Sequence, residues 1–248
     1  MIDLEQIKKL KEILKNNKRI AVITGAGIST PSGIPDIRSS DGLANSISLE
    51  KRYGHPYEEI VSHSFFMKHT EEFFRYYKEQ MVFKDAKPNA AHIFLKDLEK
   101  DHIVTIITQN IDGLHHVAGS SDVVEFHGTV QINHCMNCGE FYPLDFIMKG
   151  PTVPICPRCG GVIKPDVVLF EEGIDPSASF RSMKAVEEAD VLLVIGSSLA
   201  VYPAAGLVYY YKGRNLVIIN KDKTPYDSYA NLVINDNIVN VINELEKI

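Results

Sequence analysis

The chain has 248 residues, of which 45% are apolar and 23% charged, and its formal net charge is −6. These proportions suit one large globular unit, or one unit carrying a smaller insertion. The acidic balance opposes general attachment to nucleic acid, which needs a basic face. No apolar run reaches the roughly eighteen residues of a membrane-spanning helix, and the opening MIDLEQIKKLKEIL lacks the apolar stretch of a secretory signal. A cytoplasmic protein is therefore expected, with no membrane or nucleic-acid partner.

Leu4, Ile7, Leu10 and Leu14 recur at helical spacing over 3–15. Residues 19–24 read as a short buried strand that breaks at Gly25-Ala26-Gly27, with Thr30 just beyond. Glycines after a strand let the backbone approach a pyrophosphate at a helix N-terminus. They also suit a plain tight turn, and Thr30 stands where the dinucleotide fingerprint has its third glycine. Asp36, Ile37 and Arg38 follow Gly33-Ile34-Pro35. That loop can brace itself through its Asp–Arg pair or offer the Arg38 fork to a phosphate. Residues 56–82, rich in Glu, Phe, Tyr and Lys, read as helical, and 92–100 as a further helix.

The β-branched run 103–107 suits a buried parallel strand. It runs straight into Thr108-Gln109-Asn110-Ile111-Asp112-Gly113, and polar groups at such a strand end lie where open α/β sheets bind ligands. A second strand-like run, 122–126, ends at His127-Gly128. An imidazole in that setting can act as a general base near neutral pH, whereas His115 and His116 follow their strand by a full turn. Strands at 166–170, 191–195, 216–219 and 232–234 alternate with helices at 176–189, 203–211 and 237–247, a βαβ rhythm that implies a parallel sheet. Gly196-Ser197-Ser198 and Asn220 end two of these strands, so several polar loops converge on one sheet edge.

The four cysteines form Cys135-x2-Cys138 and Cys156-x2-Cys159, with seventeen residues between the pairs. Two such knuckles complete a tetrahedral zinc shell, and four thiolates leave no open position, so one structural Zn2+ is expected. Two disulfides, or redox pairs, are the other readings; the expected compartment disfavours the first, and neither pair opens a helix after a strand.

Taken in order over about 20–222, GAGIST, SGIPD-x-R, TQNIDGLH, EFHG, the two knuckles, GSSL and Asn220 resemble the sirtuins, NAD-dependent protein-lysine deacylases, in their compact bacterial or archaeal form. The resemblance implies an α/β fold: a Rossmann-like parallel sheet flanked by helices (1–39, 86–129 and 166–248), with a small domain made of a helical insert (40–85) and a zinc ribbon (130–165). It implies that NAD is consumed as a co-substrate and that an acyl-lysine protein enters the same cleft. Nicotinamide, O-acyl-ADP-ribose and free lysine would leave it. By motif position His127 would activate a ribose hydroxyl, and Asn110 and Asp112 would line the nicotinamide pocket beside Ile111. Gln109 would touch the ribose. Gly25, Ala26, Gly27, Thr30, Asp36, Ile37 and Arg38 would surround the pyrophosphate and ribose, while Gly196, Ser197, Ser198 and Asn220, with Asn237 and Ile238, would hold the far half of NAD. Val168, Leu169 and Phe170 on one side and Val201 and Tyr202 on the other would sandwich the peptide as strands. A monomer is expected. The rival readings are a mono-ADP-ribosyltransferase on the same scaffold and a non-catalytic NAD- or ADP-ribose-binding module.

Three positions depart from the family pattern. Ile37 replaces a Phe, Glu171 replaces the glycine of a Phe-Gly-Glu triplet, and the stretch 74–77 lacks the Tyr-x-x-Arg pair of acid-selective members, so neutral acyl chains are expected. Ile37 keeps apolar bulk but lacks the flat ring that shields the reacting ribose face from water. Ile37→Phe should therefore lower the NAD hydrolysed per lysine freed. Nicotinamide and free lysine counted together in both proteins would check this, and equal ratios would refute it.

Overall fold

The computed structural model describes residues 3–36 and 43–247, so Ile37 and Arg38 lie outside the described residues. Helix α1 (Leu4–Lys15) is capped by Asp3, whose carboxylate accepts from the Glu5 N–H at 2.9 Å. Strand β1 (Arg19–Thr24) follows, then two short 3₁₀ turns at Ala26–Ile28 and Thr30–Ser32. The insert contributes α2 (Leu43–Tyr53), α3 (Tyr57–Ile60), α4 (His63–Lys68) and α5 (Thr70–Tyr76), which ends in a π turn at Tyr77–Met81. Next come α6 (Ala90–Leu98), β2 (Ile103–Thr108), α7 (Leu114–Val117) and β3 (Val123–Glu125). The cysteine region holds β4 (Gly128–Cys135), β5 (Phe141–Pro143), α8 (Leu144–Lys149) and β6 (Ile163–Val167). The chain closes with α9 (Pro176–Glu187), β7 (Val191–Ile195), a 3₁₀ run at Ala204–Tyr210, β8 (Leu216–Ile219), β9 (Leu232–Ile234) and α10 (Ile238–Leu245).

Six strands form one parallel sheet in the order β3-β2-β1-β7-β8-β9. Side chains alternate across each strand. Ile20, Val22, Leu193 and Val217 therefore meet α1, α6 and α10 on one face, while Ala21, Ile23, Leu192 and Ile218 meet α9 and the 204–210 run on the other. Burial on both faces explains why these strands read as unbroken apolar runs. The order reverses between β1 and β7, which opens a crevice at the strand C-termini there.

A second, antiparallel sheet, β5-β4-β6, shares one core with the insert. Phe66, Phe73, Phe74 and Tyr77 pack there with Cys135, Cys156 and Ile163. The two sheets meet at Gly128, where φ is +73° and a Cβ would lie 1.8 Å from the Asp166 carbonyl oxygen, so only glycine lets β4 leave β3 beside β6.

Three expectations change. The run 166–170 is not a strand of the parallel sheet: β6 ends at Val167 and pairs antiparallel with β4. Beyond it, Val168 N–H donates to the His127 carbonyl and Phe170 N–H to that of Val61, drawing 168–170 toward the small domain. An apolar run does not declare which sheet it will join. The region 56–82 is broken rather than continuous, because the Ser62 hydroxyl accepts from Phe65 N–H at 3.2 Å and starts a new helix. Residues 204–210 form a 3₁₀ run instead of an α-helix.

His92 and His115 lie buried with ring centroids 4.8 Å apart. His92 Nδ1 accepts from the Asn89 N–H at 3.3 Å, closing a capping box at the start of α6, and His115 Nε2 lies 3.1 Å from Thr24 Oγ1. Burial pushes His92 down to about 4 against the pull of Asp112, and pushes His115 down to about 3 with help from His92 and His116. Both are neutral in the fold, whereas an unfolded histidine protonates near 6.5. The stability that they contribute is present above about pH 6.5 and is lost as the pH falls toward their folded values, by up to about 1.4 kcal/mol per pH unit for each ring. Urea unfolding at pH 7, 6 and 5 should show that slope. His92→Gln and His115→Gln should flatten it, and an unchanged slope in both variants would exclude this cause.

Candidate active site

The crevice between β1 and β7 is closed at its base by two loops in backbone contact. Gly25 N–H donates to the Ile195 carbonyl at 3.1 Å and Gly27 N–H to the Gly196 carbonyl at 2.9 Å. A Cβ on Gly25 would sit 2.7 Å from Gly196 O, and one on Gly27 would sit 2.8 Å from Gly196 Cα. These glycines are thus required by loop-on-loop packing whether or not a phosphate approaches. Ala26 and Thr30 line the open side, and the Thr30 hydroxyl donates to Gly27 O at 3.1 Å.

The segment after β2 crosses this base. Gln109 Nε2 donates to Ser197 Oγ at 2.8 Å, tying β2 to the loop after β7. Asn110 Nδ2 donates to Gly25 O and to Ser29 Oγ, both at 3.1 Å. Ser29 Oγ in turn donates to Asp112 Oδ2 at 2.7 Å, and Asp112 Oδ1 accepts from Leu114 N–H at 2.8 Å. Asn110, Ser29 and Asp112 form one directed chain of hydrogen bonds in which each polar group is held by the next. Ile111 turns to the small-domain core. Ser29, 1% exposed, is the member that motif reading did not single out, although it stands inside GAGIST.

His127 lies across the cleft floor with Nδ1 3.1 Å from the Gln109 carbonyl oxygen. A carbonyl only accepts, so Nδ1 carries the proton and Nε2 is the basic nitrogen of the neutral ring. His115 faces the core, and His116 lies 3.6 Å from Glu125.

The cleft has a volume of about 720 Å³. Ser198, Asn220, Asn237 and Ile238 line its large-domain wall together with Asp36. Asn220 Nδ2 donates to Asp222 O, and Asn237 caps α10 by accepting from Val239 N–H at 2.9 Å, so both amides also have local structural work. Ile238 is mostly core. Val168, Leu169, Phe170, Val201 and Tyr202 flank the mouth. The small-domain wall is made of Tyr57, Val61, Tyr76, Gln80 and Met81. No motif flagged these residues, since only the packing of the insert brings them to the cleft.

The four cysteine sulfurs lie within 4.8 Å of one another and form no disulfide. Cys135 and Cys159 sulfurs are 3.4 Å apart, and those of Cys138 and Cys156 are 3.7 Å apart. A tetrahedron with metal–sulfur bonds of about 2.3 Å has edges of about 3.8 Å. The set therefore fits zinc, closed to further ligands, and it lies outside the cleft lining.

A model of the Sir2 family matches residues 25–203. The chain belongs to the Sir2 family. Over 244 residues it is 50% identical to an NAD-dependent protein deacetylase of Clostridium acetobutylicum, covering 98% of each chain. It is 43% identical over 240 residues to one from Staphylococcus epidermidis, covering 96% of each. Among solved structures, a Sir2 with a deacetylated p53 peptide and 3′-O-acetyl-ADP-ribose superposes with a TM-score of 0.87 at 37% identity, covering 97% of both chains. A Sir2 complex with p53 peptide and NAD+ superposes with a TM-score of 0.84 at 35% identity, covering 97% of this chain and 98% of that one.

Two of the departures from the Sir2 pattern have a physical account. Glu171, in the glycine's place, keeps a left-handed φ of 74°, and its carboxylate accepts from Ser64 N–H at 2.8 Å and from the Ser64 hydroxyl at 3.0 Å. Hydrogen bonds to the start of α4 offset the backbone strain. Phe74 and Tyr77 are wholly buried in the small-domain core and do not line the cleft.

The cysteine cluster of this Sir2 chain shares its core with the cleft wall, so loss of zinc is expected to destabilise that wall. Cys156→Ser should abolish the one zinc per chain measured by atomic absorption and lower the melting temperature by at least about 10 °C. A zinc-free protein with unchanged melting would refute this.

Proposed function

We infer that the chain is an NAD-dependent protein-lysine deacetylase. With one water consumed, it transfers the acyl group to ADP-ribose, freeing nicotinamide and lysine. One observation carries this reading: the basic nitrogen of His127 and the Asn110–Ser29–Asp112 chain share one cleft at the sheet's switch point, in a chain alike over nearly its whole length to named deacetylases.

NAD, when bound, supplies the ribose carbon that accepts the acyl oxygen. The chain's own residues do the rest. His127 Nε2 takes the proton of a ribose hydroxyl, with Gln109 O holding its ring in the required tautomer. Asp112 offers a carboxylate to the nicotinamide amide, and Asn110 orients the loop that carries Ala26 and Thr30. Ser197, Ser198 and Asn220 hold the far nucleoside, with Asn237 and Ile238 beside it. Val168–Phe170 and Val201–Tyr202 take the substrate peptide by backbone pairing, which tolerates many sequences. The walls keep water from a centre that would otherwise be hydrolysed.

A module that only binds NAD or its products has no need of a base held in one tautomer. Protein ADP-ribosylation on the same scaffold would leave label on the acceptor. We further propose a large domain of 1–39, 86–129 and 166–248 and a small one of 40–85 and 130–165, joined through β4 and β6. We propose a cytoplasmic monomer that does not bind nucleic acid. No helix among the described residues is long and apolar enough to cross a membrane.

With NAD and an acetyl-lysine peptide, free lysine should appear together with nicotinamide, any excess of nicotinamide measuring NAD hydrolysis, and no label should stay on the peptide. His127→Ala should lose about 10²- to 10⁴-fold in kcat/KM, the usual contribution of a general base, while His116→Ala keeps its activity. Equal activity of His127→Ala and the parent would overturn the base assignment, and preferential release of succinyl would overturn the neutral-chain reading.

A further inference from the structure

Glu171 lines the cleft directly beyond the 168–170 segment assigned to the substrate peptide, and its backbone is strained. Glu172 N–H donates to Leu169 O at 3.1 Å, which closes a four-residue turn with Glu171 in the third place. Its φ of 74° is what a type II turn asks of that place, where glycine adopts it freely and glutamate does not. Strain of this kind persists only where surrounding contacts overrule it, and it gathers at ligand sites.

The contacts that overrule it run to the start of α4. One carboxylate oxygen of Glu171 accepts from Ser64 N–H at 2.8 Å, and the other accepts from the Ser64 hydroxyl at 3.0 Å. Beside this tether, Phe170 N–H donates to Val61 O at 3.0 Å and His63 N–H to Phe170 O at 2.9 Å, so 61–63 lies against Phe170 as a parallel bridge. Glu172 closes the turn from the other side, meeting His63 Nδ1 at 2.9 Å, Lys164 Nζ at 3.1 Å and Leu169 N–H at 2.9 Å. A glycine at 171 would relieve the strain and leave the tip of the turn untied from Ser64. Glutamate accepts the strain and gains a two-pronged tether. Strain and surface hydrogen bonds nearly offset in stability. What remains is a peptide-side segment held in one place, so that binding has less to order.

We propose that Glu171 is a positioning residue for the acyl-lysine peptide: by tying the 169–172 turn to Ser64 it preforms the backbone segment that takes the peptide and lowers the peptide's KM. The proposal rests on the deacylase reading and on the assignment of 168–170 to the peptide. The tether ends on Ser64 rather than on the floor formed by Gly25, Ser29 and Ser197, so it bears on peptide binding and leaves NAD binding and chemistry alone.

The test uses the full chain with NAD and an acetyl-lysine peptide whose other side chains are uncharged, so that removing the Glu171 charge does not itself alter attraction. Glu171→Gly should raise the peptide's KM at least about threefold, with kcat and the KM for NAD within about twofold of the parent. It should melt within about 3 °C of the parent, because relieved strain offsets the lost bonds. Ser64→Ala, which keeps the N–H donor, should raise the peptide's KM in the parent and not in the Glu171→Gly background. An unchanged peptide KM in Glu171→Gly, a change confined to kcat or to the KM for NAD, a larger fall in melting temperature, or a Ser64→Ala effect that persists in full without Glu171 would overturn the proposal. A parent that frees no lysine from the peptide would instead overturn the deacylase reading itself.

Discussion

The active cleft depends on one contact, the backbone of Gly25–Gly27 laid directly against Gly196. With the carbonyl of Gly196 bonded to Gly27 N–H at 2.9 Å and no room for a Cβ on either side, the loops after β1 and β7 are fused into one floor. That floor fixes Gly25 O, which Asn110 grips, and carries Ser29, which Asp112 grips. It also sets Ser197, which Gln109 grips. A side chain at Gly25 or Gly27 would part the loops and release all three polar groups together. Much of the ordering of the site is therefore done in the apo protein, so binding need not supply it.

The facing wall is built differently. It has no strand-end loops, only an aromatic core that helices α3 to α5 share with the cysteine ribbon. Gly128 allows β4 to depart beside β6, which brings His127 and Val168 to the same place, since Val168 N–H bonds the carbonyl of His127. The proposed base and the proposed peptide segment are thereby joined by a single backbone hydrogen bond, and any shift of the ribbon moves both. A structural zinc far from the chemistry can influence it through this geometry.

The polar chemistry at the end of β2 was legible because strand, amide pair, carboxylate and glycine stand in sequence without interruption. The tetracysteine set was legible because spacing alone satisfies zinc. The run 166–170 reads in the sequence as a strand of the large sheet, whereas its start belongs to β6 of the small one, because hydrophobic periodicity is the same for any sheet that buries it. Tyr57, Tyr76 and Gln80 carried no signal. They are ordinary members of an aromatic-rich helical stretch, and nothing local says which of its side chains border a cavity. Glu171 was visible as a lost glycine, but not as a residue that holds the glycine's backbone conformation while binding α4.

By itself the sequence determined the alternation of strands and helices, the metal-binding residues and the polar set that lines the switch point, since each follows from contiguous residues or fixed spacing. Only the tertiary structure decided which nitrogen of His127 is basic, that Asn110 reaches Asp112 through Ser29, and which helices wall the small-domain side of the cleft. These features depend on contacts between segments distant in the chain, as in the bond from Ser29 to Asp112, 83 residues apart. Packing, rather than local pattern, sets such distances.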